Sequence, residues 1–204
     1  MISLPTRIKV QKKGEMTPSW MPLHQFENFF GIIYRPSIVF PSHEALKTVS
    51  ENCPYILRYK WIASDNYAWD KINREKTPPI YIKWIDDTMG YGVFADNDIE
   101  KDAFIGEYAG VVRRLYRNHP DHNAYCFHYP TKLWSLNYYT IDAKNQGNIT
   151  RFINHSDQPN LQPLCLIDKN KILHLMLVAK CTIPKDTQLV FDYGPDFWAR
   201  RKKA

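Results

Sequence analysis

A mixed, mainly β fold is predicted for the chain, built of several short sheets and preceded by a small N-terminal segment of mixed helix and strand. Three observations predict it. From Ile80 onward short β-rich stretches recur at intervals, at Ile80 to Ile85, Phe104 to Val112, Tyr125 to Tyr129, Tyr138 to Asp142, Leu164 to Ile167, Ile172 to Val178 and Gln188 to Tyr193. Gly, Asn, Asp or Pro separates each from the next, and helical periodicity is scarce, which favours small sheets over a doubly wound parallel one. Thr77-Pro78-Pro79 punctuates the chain just before this texture begins and divides residues 1–79 from residues 80–199.

In chain order, the first 40 residues carry Pro5, Pro18, Pro22 and Pro36 among Trp20, Phe26, Phe29, Phe30 and Tyr34, and read as irregular but packed. Ser42 is a candidate N-cap for one short helix in which Ala45, Leu46, Val49 and Cys53 recur at helical spacing before Pro54 ends the run. Trp61, Tyr67 and Trp69 follow with mixed polarity. Further on, Asp168-Lys169-Asn170-Lys171 lies between two apolar runs and predicts a hairpin connection, making the flanking strands antiparallel neighbours. No repeat or low-complexity tract interrupts this order.

The composition of the 204 residues, 44% hydrophobic and 14% aromatic, excludes wholesale disorder. The longest apolar run, Ile172 to Ala179 broken by His174, falls far short of the roughly 20 residues a membrane span needs. Met1 to Pro5 followed by Arg7 and Lys9 lacks an apolar export core, so Sec export is not expected; secretion into a host by a specialised apparatus leaves no such mark. Cys53, Cys126, Cys165 and Cys181 show no C-x-x-C spacing and are expected as free thiols in a reducing compartment, cytoplasmic, nucleoid or nuclear. The net charge of +6 is concentrated at Arg7, Lys9, Lys12 and Lys13 and in the tail 200–204, leaving a nearly neutral body. Basic ends suit solvated tails, or contact with nucleic acid or an acidic partner.

Four local clusters carry chemistry. Gly90-Tyr91-Gly92-Val93-Phe94 places paired glycines where backbone groups can approach a small molecule closely, although an unliganded hairpin turn explains such a pair equally well. Glu107-Tyr108-Ala109-Gly110 puts a phenol beside small residues at a strand end. In Arg151-Phe152-Ile153-Asn154-His155-Ser156, polar groups follow directly on apolar ones, so they lie against a buried surface and need partners, of which a polar ligand is one kind. Phe191-Asp192-Tyr193-Gly194 ends a strand in a tyrosine beside a glycine turn, with Phe197 and Trp198 just beyond.

In order and spacing these clusters resemble the G-x-G, E-Y-x-G, R-F-x-N-H-S and F-D-Y-G motifs of the SET-domain protein lysine methyltransferases, over about residues 80 to 199. Residues 1–79 carry no such resemblance. The resemblance implies a knot-like crossing of the N-H-S segment with the strand bearing the terminal tyrosine. It implies S-adenosylmethionine held by backbone around Gly90, Tyr91 and Gly92, by Tyr125, Arg151, Asn154 and His155, with Phe197 or Trp198 against the adenine. A substrate lysine would enter from the opposite face through a channel of Tyr108, Phe191 and Tyr193, with Tyr193 and Tyr108 as the catalytic pair. Methyl transfer to an amine is an in-line displacement, so orientation supplies most of the catalysis. An aromatic, poorly hydrated channel beside a sulfonium also lowers the lysine pKa from about 10.4, so no dedicated general base is needed.

Departures from the family pattern are informative. Relatives often read N-H-S-C and add a zinc-binding cysteine cluster after F-D-Y-G; here Asp157 follows Ser156 and no cysteine lies beyond Cys181, so no zinc is expected. Closure of the channel then falls to Phe197, Trp198 and the basic tail. In compactness and in lacking this cluster the chain is similar to small bacterial members such as the chlamydial ones, which suggests a histone or histone-like substrate. Asp102 and Asp186 stand where relatives often carry a turn glycine, and Asp tolerates left-handed geometry. His119, His122 and His128 lack a fourth ligand and read as surface histidines, and Asp86, Asp87, Asp96 and Asp98 as turn formers. Phe191, with no hydroxyl to anchor a water in the channel, predicts progress to di- or trimethyllysine. The alternatives are a catalytically silent SET-type module binding a lysine-bearing partner, and a DNA-binding protein working through its basic ends.

Overall fold

Alternation in Arg7-Ile8-Lys9-Val10-Gln11 buries Ile8 and Val10 and turns the polar residues outward, the period of a half-buried strand. The computed structural model describes residues 4–53, 62–63, 78–115, 123–131 and 138–198; Pro54, Trp61, Tyr67, Trp69, Thr77, His119, His122 and the basic tail lie outside the described residues. The described strands are β1 (Arg7–Gln11), β2 (Ser19–Pro22), β3 (Ile33–Tyr34), β4 (Ile62–Ala63), β5 (Ile80–Asp86), β6 (Gly90–Ala95), β7 (Phe104–Glu107) and β8 (Val111–Leu115). They continue with β9 (Cys126–Tyr129), β10 (Tyr138–Asp142), β11 (Gln146–Gly147), β12 (Asn154–His155), β13 (Leu161–Ile167), β14 (Leu173–Ala179) and β15 (Gln188–Phe191). Two helices, α1 (Leu23–Phe30) and α2 (His43–Glu51), precede them all from β4 onward, and a last helical turn spans Pro195–Trp198.

Among the described residues the strands form a six-stranded sheet in the order β12-β15-β6-β5-β1-β2, a four-stranded sheet β4-β13-β14-β7, a three-stranded sheet β8-β10-β9 and the pair β11-β3. Mainly β, in several small sheets, is thus the architecture. The N-terminal segment is woven into it. β1 runs parallel to β5 with Val10 opposite Ile82, and β3 pairs with β11. Ile8, Val10, Met21, Phe26 and Ile32 share one core with Ile82, Val93, Ile105, Phe152 and Leu189.

The stretch expected to be irregular is two strands and a helix. α1 begins directly after Pro22, whose fixed φ suits a helix entrance, and ends at Gly31 with φ of 63°, a left-handed C-cap. Leu23, Phe26 and Phe30 already had helical spacing, but prolines close on either side obscured it. The helix expected after Ser42 is α2, with the Ser42 hydroxyl accepting from the Ala45 N–H at 3.1 Å. The hairpin expected around Asp168 joins β13 to β14, where the Asp168 carboxylate accepts from the N–H groups of Asn170 and Ile172. Asp102 and Asp186 take positive φ, 66° and 62°.

The stretch from Phe104 to Val112 is not one strand. β7 ends at Glu107 and β8 begins at Val111, because the chain leaves the four-stranded sheet for the three-stranded one at Tyr108-Ala109-Gly110. At Gly110 a Cβ would sit 2.6 Å from the Asp142 carbonyl oxygen, so only glycine lets the backbones approach this closely.

Beside that junction lies a buried charge cluster. One Glu107 oxygen accepts from Ser37 Oγ at 2.7 Å and the Ile38 N–H at 3.2 Å, and meets His174 Nδ1 at 2.9 Å; Asp168 is 3.8 Å from the other ring nitrogen. Burial alone would depress the His174 pKa, but the Asp168 and Glu107 carboxylates raise it from 6.5 to about 9. Because the folded value is the higher one, the stabilisation is complete below pH 6.5 and is lost as pH rises through 9. It amounts to roughly 3 kcal/mol at most. Thermal melts across pH 6 to 10 should therefore show an alkaline loss of stability that His174→Gln largely removes; parallel curves for the two proteins would exclude this source.

Candidate active site

The segment following β11 builds the centre of the site. Asn148 caps a 3-10 turn at Ile149–Phe152 by accepting from the Thr150 N–H at 3.0 Å, and its amide donates to the Glu107 carbonyl at 2.9 Å. The turn buries Thr150, Arg151 and Phe152, so the chain leaves it extended and enters the sheet as β12. There Asn154 lies beside Val190 and His155 beside Phe191, in parallel. Three contacts lace the two segments together: the Ser156 N–H donates to the Phe191 carbonyl at 3.2 Å, the Tyr193 N–H to His155 Nδ1 at 3.2 Å, and the Tyr193 hydroxyl to the Ile153 carbonyl at 2.8 Å. Asn160, which carried no signal in the sequence, clips the same strand by donating to the Gln188 carbonyl and accepting from the Val190 N–H.

A continuous aromatic run leads away from this crossing. Tyr108, Phe127, Phe191 and Tyr193 follow one another at ring-centre separations of 5.5, 5.9 and 4.7 Å. Phe197 stands edge-on to Tyr193 at 4.6 Å, and Trp198 lies nearly parallel to it at 6.3 Å and 4.8 Å from His155. Phe127 was not singled out in the sequence; its place in the Tyr125 to Tyr129 stretch was visible, its position between Tyr108 and Phe191 was not. The Tyr108 hydroxyl donates to the Tyr125 carbonyl at 3.0 Å. Burial pushes the pKa of both Tyr108 and Tyr193 up, so each hydroxyl stays protonated and acts as a hydrogen-bonding group, not as a base.

The glycine-bearing strand joins from the other side. The Asn154 amide donates to the Tyr91 carbonyl at 3.2 Å. A Cβ on Gly92 would fall 2.7 Å from Ile85 Cδ1, 2.8 Å from Gln188 Nε2 and 3.2 Å from Asn154 Nδ2, so a side chain there would push the ends of these three neighbours aside. Gly90, with φ of 71°, supplies the left-handed residue of the preceding turn. The Tyr91 ring points away, into a cluster with Phe30 and Trp84 at 5.0 and 5.1 Å. Gln188 Nε2 and His155 Nε2 are buried without a hydrogen-bond partner, the latter 3.4 Å from an Asp157 oxygen. The Gln188 nitrogen, buried beside Gly92, is the kind of atom a polar ligand would satisfy.

Arg151 has a different setting. Only 9% exposed, it donates to the Ala143 and Lys144 carbonyls at 2.8 and 3.2 Å and lays its guanidinium 3.8 Å over the Tyr125 ring. The structure thus gathers Asn154, His155, Phe191, Tyr193, Phe197 and Trp198 in one group. Tyr108, Tyr125 and Arg151 form a second group, joined to the first through Phe127. Among the described residues no three His, Cys, Asp or Glu side chains are placed to hold a metal ion.

Residues 90–194 match the family model for the SET domain, a span of more than half the chain. The chain belongs to the SET-domain family. Similar curated proteins include the histone-lysine N-methyltransferase EHMT1 of Homo sapiens, 34% identical over 114 residues, which are 54% of this chain and 9% of that protein. Su(var)3-9 of Drosophila melanogaster, another histone-lysine N-methyltransferase, is 36% identical over 114 residues, 51% of this chain and 18% of the relative. The SET chain thus spans less than a fifth of the length of either. Among solved structures, ATXR5 in complex with histone H3.1 superposes with a TM-score of 0.69 at 19% identity, covering 85% of this chain and 86% of that one, and shares the fold.

The crowding at Gly92 of this SET domain has a measurable consequence. Gly92→Ala should lower stability by about 1–3 kcal/mol through overpacking against Asn154 and Gln188, whereas Met89→Ala, 44% exposed three residues earlier, should leave the melting temperature unchanged. Equal melting temperatures for the two variants would show that the space is not limiting.

Proposed function

We propose that the protein is an S-adenosylmethionine-dependent protein-lysine N-methyltransferase. The observation that carries this reading is the crossing of residues 153–156 with residues 190–193, which sets the Tyr193 hydroxyl at one end of the Tyr108–Phe127–Phe191 aromatic run. The unpartnered Gln188 nitrogen beside Gly92 fits a polar cofactor on the other side. S-adenosylmethionine would supply an electrophilic methyl group on a cationic sulfur. Backbone of Gly90, Tyr91 and Gly92, with Asn154 and His155, would hold it, with Tyr125 alongside and Phe197 or Trp198 covering its adenine. Arg151, tied to two carbonyls, would support Tyr125 from beneath.

The chain's part in the chemistry is orientation. Tyr108, Phe127 and Phe191 would desolvate the lysine side chain, favouring its neutral form. The hydroxyls of Tyr193 and Tyr108 already donate to the Ile153 and Tyr125 carbonyls, so they present lone pairs to the amine N–H groups and leave the nitrogen lone pair free for in-line attack.

The relatives named as histone-lysine methyltransferases favour a histone or a similarly basic protein as substrate. Nucleic-acid contact through the N-terminal basic residues has less support, because Lys9, Lys12 and Lys13 are paired with Asp96, Glu15 and Asp87. The N-terminal residues up to 79 would serve as scaffold for the catalytic region 80–199, and a reducing intracellular compartment suits the free cysteines. Zinc has no part in this reading.

Incubation with labelled S-adenosylmethionine and mixed histones should place label on protein, and Tyr193→Phe should reduce transfer at least about 10-fold while cofactor binding by calorimetry persists. Binding without label in the unaltered protein would instead indicate a silent module, and chelators should change neither activity nor melting temperature. With no hydroxyl on Phe191 to anchor a channel water, the product should run to di- or trimethyllysine, and Phe191→Tyr should shift it toward monomethyllysine by mass spectrometry.

A further inference from the structure

A carboxylate outside the four motifs is linked through hydrogen bonds to the phenol at the inner end of the aromatic run. We propose that Asp142 is a positioning residue for the methyl transfer, acting through Asn123 and Tyr125 on the Tyr108 hydroxyl, an inference that rests on the function proposed above. Asp142 is the last residue of β10, directly opposite Val111 of β8 and Cys126 of β9. Its side chain is 19% exposed and every hydrogen bond it makes is accepted. One oxygen takes Arg113 Nε at 2.7 Å, the other Asn123 Nδ2 at 2.7 Å and the Lys144 N–H at 2.9 Å.

An ionised carboxylate accepts only, so Asp142 decides which way the Asn123 amide faces. With its nitrogen turned to Asp142, Asn123 must present its oxygen elsewhere, and that oxygen accepts the Tyr125 N–H at 3.0 Å. Tyr125 is thereby held at its main chain. Its carbonyl then accepts from two donors, the Ala143 N–H at 2.9 Å and the Tyr108 hydroxyl at 3.0 Å. Arg151 closes the circuit by donating to the Ala143 carbonyl while covering the Tyr125 ring. Gly110, two residues after Tyr108, is pressed on the Asp142 main chain, so the turn carrying Tyr108 is registered on the same residue.

The consequence is directional. As long as the Tyr125 carbonyl stays in place, the Tyr108 proton is committed to it and the hydroxyl offers only a lone pair to the substrate amine. Displace the carbonyl and the hydroxyl is free to rotate and donate to the amine lone pair, the one needed for attack.

Asp142→Asn puts an amide donor where one of these donors must be accepted. Methyl transfer turnover should fall about 10- to 100-fold, in line with small misplacements of positioned groups. A double-mutant cycle separates positioning from general damage. In a Tyr108→Phe background, which has no hydroxyl to orient, Asp142→Asn should cost less than about 3-fold; a full multiplicative loss there, or no loss in the single variant, overturns the proposal. If Asp142→Asn does not fold, Asn123→Ala must give the same pattern, and additive losses would count equally against it. A crystal structure of whichever variant folds decides the point even if the unaltered protein transfers no methyl group, an outcome that would refute the proposed function alone. The Tyr108 hydroxyl should then lie out of hydrogen-bond reach of the Tyr125 oxygen, and an unchanged 3.0 Å contact would refute the positioning role.

Discussion

The parallel pairing of Asn154–His155 with Val190–Phe191 is the contact on which the rest of the site depends. Neither partner is stable as a strand alone, since β12 has two residues and β15 four. Each is held by what flanks it: the capped 3-10 turn and the buried Phe152 and Ile153 before β12, and the antiparallel pairing with β6 beside β15. Once paired, they bring the Tyr193 hydroxyl to the Ile153 carbonyl and the Asn154 amide to the Tyr91 carbonyl. The hydrogen bonds to Tyr193 and Tyr91 are thus anchored on adjoining residues of one segment. Under the proposed reaction, which needs three atoms in line, such a short mechanical path would keep lysine and cofactor in fixed relation.

The second constraint is placement of the inner phenol. Tyr108 follows directly on Glu107, whose carboxylate is buried among Ser37, Ile38 and His174. One cluster therefore ties the N-terminal segment, β7 and β14 at the residue before Tyr108. A buried carboxylate is costly unless its acceptors are filled, and three donors share one Glu107 oxygen while the other has no partner. On the far side, Tyr108 hangs from Tyr125, which Asn123, Ala143 and Arg151 hold. Tyr108 is therefore fixed at both ends, its main chain beside the buried Glu107 and its hydroxyl on the Tyr125 carbonyl.

The N-terminal segment is structural in the literal sense that its strands complete a sheet. β1 covers the edge that β5 would otherwise expose, and α1 delivers Phe26 and Phe30 to a cluster with Phe152 and Tyr91. That cluster backs both the glycine strand and the 3-10 turn. An aromatic-rich stretch with no motif of its own thus sets the distance between two motifs that have one.

The sequence by itself determined the local features: the Ser42 cap, the hairpin at Asp168, the left-handed aspartates at 102 and 186, and the four motifs with their family. Each depends on a few neighbouring residues and on backbone preferences that travel with residue type. It did not disclose β1, β2 and α1, whose patterns are short and lie between prolines at 5, 18, 22 and 36, nor the break between β7 and β8, which follows from two sheets meeting at Gly110. Only the tertiary structure decided that Phe127 bridges Tyr108 and Phe191, that Arg151 turns toward carbonyls and the Tyr125 ring, and that Asp142 reaches Tyr108 through two intermediaries. Those relations join residues far apart in the chain, and no local spacing encodes them: a side chain's partners are selected by which donors and acceptors the packed sheets leave unsatisfied.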